Sequence, residues 1–227
     1  MSDTGVIAEA GMTTTMTPDD LAAQGSVGGP WVATGTAAVG GLAFGVLTNL
    51  AQGWLPGAWN QLANSGAFWS TVAFAAGALL TRRGTLSRAV TCGLGAEVGL
   101  VVGYYAYAEL GRGGMGSLFF PLVWLGMACV AGPLFGVAGH WWRHGRDARR
   151  RIAGLAAFAG LFGSEALTAA WDLHYAPQAW TCFAAFTLVP LLMARATRER
   201  VRALALAAPC ALLAYTVIDL PLQVIPN

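Results

Sequence analysis

Apolar residues in this chain come in long unbroken runs. Seven stand out from Trp31 onward: 31–51, 65–81, 89–110, 118–140, 152–171, 178–195 and 203–221. Helical residues rise 1.5 Å each, so about 20 of them cross the roughly 30 Å hydrocarbon core of a bilayer. The pattern predicts an all-α integral membrane bundle of about seven transmembrane helices, filling 31–222. The second and sixth runs are the shortest and leave little room for tilt. Residues 223–227 form a short C-terminus, and residues 1–30 a polar stretch with four acids and no arginine. That stretch lacks the basic start of a secretory signal and reads as a disordered tail.

Composition agrees with lipid as the solvent. The chain is 56% hydrophobic and only 11% charged, where a soluble domain carries roughly 25% charged residues. All thirteen basic residues are arginine. No basic stripe runs along a polar face, which argues against a nucleic-acid partner. Arg82, Arg83 and Arg88 stand between runs two and three. Arg143, Arg146, Arg149, Arg150 and Arg151 stand between four and five, and Arg195, Arg198, Arg200 and Arg202 between six and seven. Twelve of the thirteen arginines thus fall in alternate loops, Arg112 being the exception. Arginine-rich loops stay inside, so the expected topology has the N-terminus cytoplasmic and the C-terminus external.

The spans are not wholly apolar. Glu97 lies nine residues from the nearest arginine, inside LGAEVGLVVGYYAYAELG. A charge at such depth costs several kcal/mol, from roughly 3 on insertion scales to 10 or more in simulations. An acid there takes its neutral form unless it is paired. Span five repeats the layout, with Gly-Ser-Glu ending at Glu165 where span three has Gly-Ala-Glu ending at Glu97. Seven residues on stand Tyr104 and Asp172, on nearly the same helical faces. A parallel repeat of two-helix hairpins would produce this, though the matching segments are short. Gly95, Gly99 and Gly103 form a GxxxGxxxG ridge facing away from Glu97, of the kind that lets membrane helices approach closely. Such ridges signal packing, and they would also serve a homo-oligomer or a larger membrane complex.

Most other polar residues fall in the outer half. The run LTNLAQGWLPGAWNQLANSG, residues 47–66, holds Asn49, Gln52, Trp54, Asn60, Gln61 and Asn64 together with Pro56 and three glycines. It is either an interfacial turn or a re-entrant segment. Irregular backbone near the membrane must be covered by protein or line a wet cavity, and a lid over an outward-facing cavity is the reading preferred here. Tyr104, Tyr105, Asp172, Tyr215 and Asp219 complete the candidate lining, with Tyr215 and Asp219 sharing a face at i, i+4. Plainer readings stand beside this one. Tryptophan and tyrosine form interfacial belts, the reading adopted for Trp31, Trp141 and Trp142. Glu109, Asp172 and Asp219 can reach outer water, and Arg112 can pair with Glu109 or Asp172. Neutral Glu97 and Glu165 can simply hydrogen-bond between helices. The four cysteines show no metal-binding or redox spacing and read as small apolar packing residues. No phosphate loop, nucleophile–base arrangement or cofactor motif is legible, so neither a metal nor a cofactor is expected.

The run at 47–66, with AEVGLVVGYY, GSLFFPLVWLGMA and HYAPQAWTC, resembles a family of multi-pass membrane proteins common in actinobacteria and carried as a domain of unknown function. The resemblance covers most of residues 31–220. It implies a bacterial plasma-membrane protein and no particular activity. In size, span count and intramembrane acids beside aromatics, the chain also resembles the small seven-span terpene cyclases of meroterpenoid and indole-sesquiterpene pathways. No motif aligns with that group, so no residue role follows.

Three functions fit these residues. A small molecule, captured or transported from the outer side, would use the amides, the tyrosines and Asp172. An acid-initiated isoprenoid cyclase would use Glu97, Glu165 or Asp219 as proton donor, and aromatic faces to stabilise the carbocation. A structural or regulatory membrane protein would merely satisfy its polar core. The amide-rich run suits a polar ligand better than a hydrocarbon, which places binding or transport first.

Overall fold

The computed structural model describes residues 30–82, 86–114 and 116–219. The tail at 1–29 and the C-terminal residues 220–227 lie outside them. Among the described residues there are seven principal helices and no strand. They are α1 (Pro30–Trp54), α2 (Gly66–Leu79), α3 (Leu86–Gly111), α4 (Phe119–His144), α5 (Ala148–Leu167), α6 (Ala176–Met193) and α7 (Thr197–Ala214). Six are long and apolar enough to cross a membrane. Their outer faces carry exposed Val39, Leu42, Leu110, Leu122, Val130 and Leu192. Large exposed apolar faces suit lipid and are rare on monomeric soluble proteins.

The exception is α2. Its fourteen residues span about 21 Å, less than the roughly 30 Å core, so the short second run of the sequence is a short helix among six longer ones. The reason is local. Pro56, Gly57 and the SG pair at 65–66 interrupt the apolar run, and the backbone takes a 3₁₀ turn at Gly57–Trp59 and a short helix at Asn60–Ala63. The chain is exposed from Gly53 to Gly57 and enters the interior at Ala63 and Ser65. It thus combines a surface turn with a buried descent.

α2 turns most of its surface to protein and not to lipid. Ala67, Trp69, Ser70, Ala73, Phe74, Ala76, Gly77 and Ala78 are all buried. It packs among α3, α4 and α5. Small residues allow this. A Cβ added at Gly77 would lie 1.8 Å from the Gly136 carbonyl oxygen, and one at Gly139 would lie 1.9 Å from that of Phe74. The α1–α3 seam is equally close, with added Cβ atoms at Gly41 and Gly99 falling 2.0 and 2.2 Å from the carbonyl oxygens of Ala96 and Ala38. Below these seams Phe74 stacks on Phe158 at 4.2 Å, and Phe135 and Phe162 extend the same core.

The arginine-bearing loops meet at one end. The Arg151 guanidinium forms an ion pair with Glu199, and Arg195 donates to the Arg143 carbonyl at 3.1 Å. The C-terminal end of α2 is fastened there too. Thr81 donates to the Gly77 carbonyl and meets His140 Nδ1 at 2.8 Å. His144 Nε2 reaches the Ala78 carbonyl at 3.2 Å. Trp142, expected in an interfacial belt, donates to the Met193 carbonyl at 2.9 Å and packs on Phe74.

Candidate functional site

The opposite end of α2 lies inside the bundle. Glu165 stands seventeen residues along α5 from Ala148, about 26 Å from the arginine end, and it meets the first turn of α2. Its carboxylate accepts from the Ala67 backbone N–H at 2.7 Å and from the Ser65 hydroxyl. The Ser65 oxygen in turn accepts from Phe68 N–H at 3.1 Å, making Ser65 the N-cap of α2. Cys182 Sγ lies 3.9 Å from the same carboxylate. The first N–H groups of a helix lack intrahelical acceptors, and the helix dipole is positive at that end. Glu165 supplies both an acceptor and negative charge, which a lone serine cap could not.

Beside this junction is a cavity of about 100 Å³. α2 gives it Gly66, Trp69 and Ser70, and α3 gives Glu97 and Val101. Trp124 and Phe135 enter from α4, and Ser164 and Glu165 from α5. Glu97 and Glu165 therefore share one cavity although α2 and α4 stand between their helices. The two acids are held differently. Glu97 is 3% exposed, the Ser70 hydroxyl is its hydrogen-bonding neighbour, and its Oε1 has no protein partner. Trp69 is fixed by donation from Nε1 to the Ala63 carbonyl at 3.0 Å. Its ring lies 5.1 Å from that of Trp124 and 5.0 Å from that of Tyr104.

The amides expected to line the same space lie elsewhere. Asn49, 2% exposed, donates to the Tyr104 carbonyl at 2.9 Å and accepts from Arg112 at 3.0 Å. The Tyr104 hydroxyl donates to Gln52 Oε1 at 2.7 Å. These bonds join α1 to α3 and fix Arg112 on Asn49. Asn60, Gln61 and Asn64 sit partly buried in the short turn before α2, outside the lining of the cavity. Trp54 is 75% exposed. Tyr105 meets Tyr104 edge to face at 5.1 Å. Asp172 and Tyr215 are joined to each other, with the hydroxyl 3.1 Å from Oδ2, where α5 and α7 both end in π-helical turns. The backbone of Asp219 closes the second of these turns, and its side chain lies outside the described residues. The acid–aromatic part of the expected site is thus one place, the amide part another and the Asp172–Tyr215 pair a third.

Sequence reading missed Ser65, Trp69, Ser70, Trp124 and Ser164. A serine just before a helix is a recognisable N-cap signal, so Ser65 was within reach. The others depend on which faces meet across helices. The Arg151–Glu199 pair was missed as well: Glu199 stands between Arg198 and Arg200, and nothing in that local spacing points to an arginine of another helix.

The chain belongs to DUF6518, a family of unknown function, whose model matches residues 24–224. No curated protein and no solved structure matches the chain.

Proposed function

We propose that this membrane protein binds a small solute in the cavity at the head of α2, reached from the end opposite the arginine loops. By the arginine rule that end is external. The observation that carries the proposal is the Glu97 carboxyl, almost wholly buried with one oxygen unpartnered, in a cavity walled by Trp69 and Trp124. Buried polar atoms are nearly always satisfied, and an ionisable residue in a membrane interior that the architecture does not engage points to a functional site. The reading is supported by Gly66, Trp124 and Ile218, which line the cavity and stand near helix ends away from the arginine loops.

Size separates this reading from the cyclase. Drug-sized ligands fill pockets of roughly 300–1,000 Å³, and an isoprenoid chain needs space of that order. The cavity with the acids offers about 100 Å³. A larger groove of about 750 Å³ runs among α5, α6 and α7, lined by Trp171, Trp180, Phe183 and Phe186, and among the described residues no acid lines it. In these two hollows Glu97 and Glu165 do not coincide with a chain-sized space.

Access is tested by placing a thiol in the cavity. In a chain whose four native cysteines are replaced by alanine, Ala128→Cys puts a sulfur on the lining, and Leu155→Cys puts one in the packed core. Methyl methanethiosulfonate, small and neutral, should modify Cys at 128 at least ten times faster than at 155. Equal protection of both would refute a solute-accessible cavity.

A further inference from the structure

Resting on that reading, we infer that the solute of the Glu97 cavity is a small monovalent cation of the ammonium or methylammonium class. The chemistry of the walls selects it. Glu97 offers a carboxyl oxygen that no protein donor occupies, and among the described residues no arginine or histidine lines the cavity. An anion would meet two carboxyl groups and no basic side chain. A neutral apolar solute would leave Glu97 Oε1 as unsatisfied as before. A cation with N–H groups answers that oxygen directly.

The remaining walls fit the same ligand. Trp69 and Trp124 line the cavity, their rings 5.1 Å apart and inclined at 54°. Two such indoles make a corner in which a cation lies within about 6 Å of an aromatic centroid, the range of cation–π attraction, which strengthens where water is excluded. The Ser164 hydroxyl donates to the Leu161 carbonyl at 2.9 Å, so its oxygen retains lone pairs and can accept an N–H. The volume of about 100 Å³ is below the roughly 150 Å³ cavity that holds benzene, and it suits an ion of one or two heavy atoms. Divalent metals are disfavoured by ligand count. Calcium takes roughly six to eight oxygens, and among the described residues no group of three or more metal-ligating side chains occurs.

Glu165 lines the same cavity but meets the first turn of α2. The pairing charge for the ligand is therefore Glu97. Gly66 sets the remaining space, because a Cβ there would lie 3.5 Å from Glu165 Oε1 and 3.9 Å from the Trp124 ring. These are ordinary contacts, so alanine fits while taking volume from the cavity.

The test uses the full chain in nanodiscs and radiolabelled methylammonium as the probe. Saturable binding is expected, displaced by ammonium and not by acetate. Glu97→Gln should weaken it at least thirty-fold, and Gly66→Ala at least five-fold, with helicity and melting temperature retained in both. Methylammonium should also slow the modification of Cys at 128 in the wild-type Glu97 background alone. If Cys at 128 reacts freely but methylammonium neither binds nor protects, the cation assignment is overturned while the accessible cavity stands. If Cys at 128 is unreactive, the cavity reading itself falls. Binding that survives Glu97→Gln unchanged would place the cation elsewhere and overturn the assignment.

Discussion

The two acids of the cavity should behave oppositely when their charge is removed. Glu165→Ala deletes the acceptor of the Ala67 N–H and the Ser65 hydroxyl. Hydrogen bonds to a charged group contribute roughly 1.5–3 kcal/mol each, and an anion at a helix N-terminus adds about 0.3–1 kcal/mol. The terms overlap, and water entering the vacated space restores part of the loss. The expected destabilisation is about 3–5 kcal/mol. Glu165→Gln keeps one carbonyl oxygen but turns an amide NH₂ toward a donor, for an expected cost of about 1–2 kcal/mol by the same bond values. Glu97→Gln removes a carboxyl whose Oε1 had no protein donor, so its cost should stay within about 0.5 kcal/mol, the scale of uneventful substitutions. Reversible unfolding of the purified variants in mixed micelles, followed by circular dichroism, gives the three values under one condition. Glu165→Ala matching wild type within about 0.5 kcal/mol, or Glu97→Gln costing as much as Glu165→Ala, would refute the assignment of one acid to architecture and the other to a ligand.

Other consequences are simpler to state. Gly99→Ala forces a Cβ to 2.2 Å from the Ala38 carbonyl oxygen and should destabilise by about 1–3 kcal/mol, as overpacking does. Gly40→Ala, with nothing within 4 Å of its added Cβ, should be neutral or stabilising by up to about 1 kcal/mol, and thermal melts of the two variants decide. Arg151→Ala leaves Glu199 without its ion-pair partner. It should cost about 2–3 kcal/mol, below the roughly 3–5 of a fully buried pair, and a double-mutant cycle with Glu199→Ala should recover much of it. Topology is checked in intact cells with a membrane-impermeant thiol reagent. Gly113→Cys should react and Arg146→Cys should not, and the reverse pattern would invert the proposed orientation.

The helices were legible because a bilayer demands long apolar runs and arginine punctuates them. Their ends were less so. α5 begins at Ala148 and α7 at Thr197, four and six residues before their apolar runs at 152 and 203. Arginine is a good helix former, so the charged flanks continue the helix outside the hydrocarbon. α2 was legible as a short apolar run, but its surroundings were not. Residues 65–81 are apolar enough for lipid, but they are buried against protein, and composition does not distinguish those two apolar surroundings. Glu97 and Glu165 stood out by depth and by the repeated Gly-x-Glu layout. That Glu165 meets Ser65, a hundred positions away, and that Asn49 and Gln52 bind Tyr104 rather than a cavity, are facts of helix pairing that no local spacing encodes.

A helix too short to cross the membrane explains much of the interior chemistry. α2 starts and stops within the bundle, and each end exposes backbone groups that lipid cannot satisfy. At the far end Ser65 and Glu165 meet its N–H groups. At the arginine end Thr81, His140 and His144 meet its carbonyls or each other. Asn49, Gln52, Tyr104 and Arg112 bind the neighbouring α1–α3 seam. Each of these polar side chains has a partner that accounts for its presence in an apolar medium. The same account applied to Glu97 yields Ser70 for the carboxyl and nothing for Oε1. A glutamine, or a leucine packed on Trp69, would serve the architecture as well without placing an ionisable group in the membrane. Both acids line the cavity, but Glu165 is engaged by the head of α2 and Glu97 Oε1 is not engaged by protein, which assigns the ligand to Glu97.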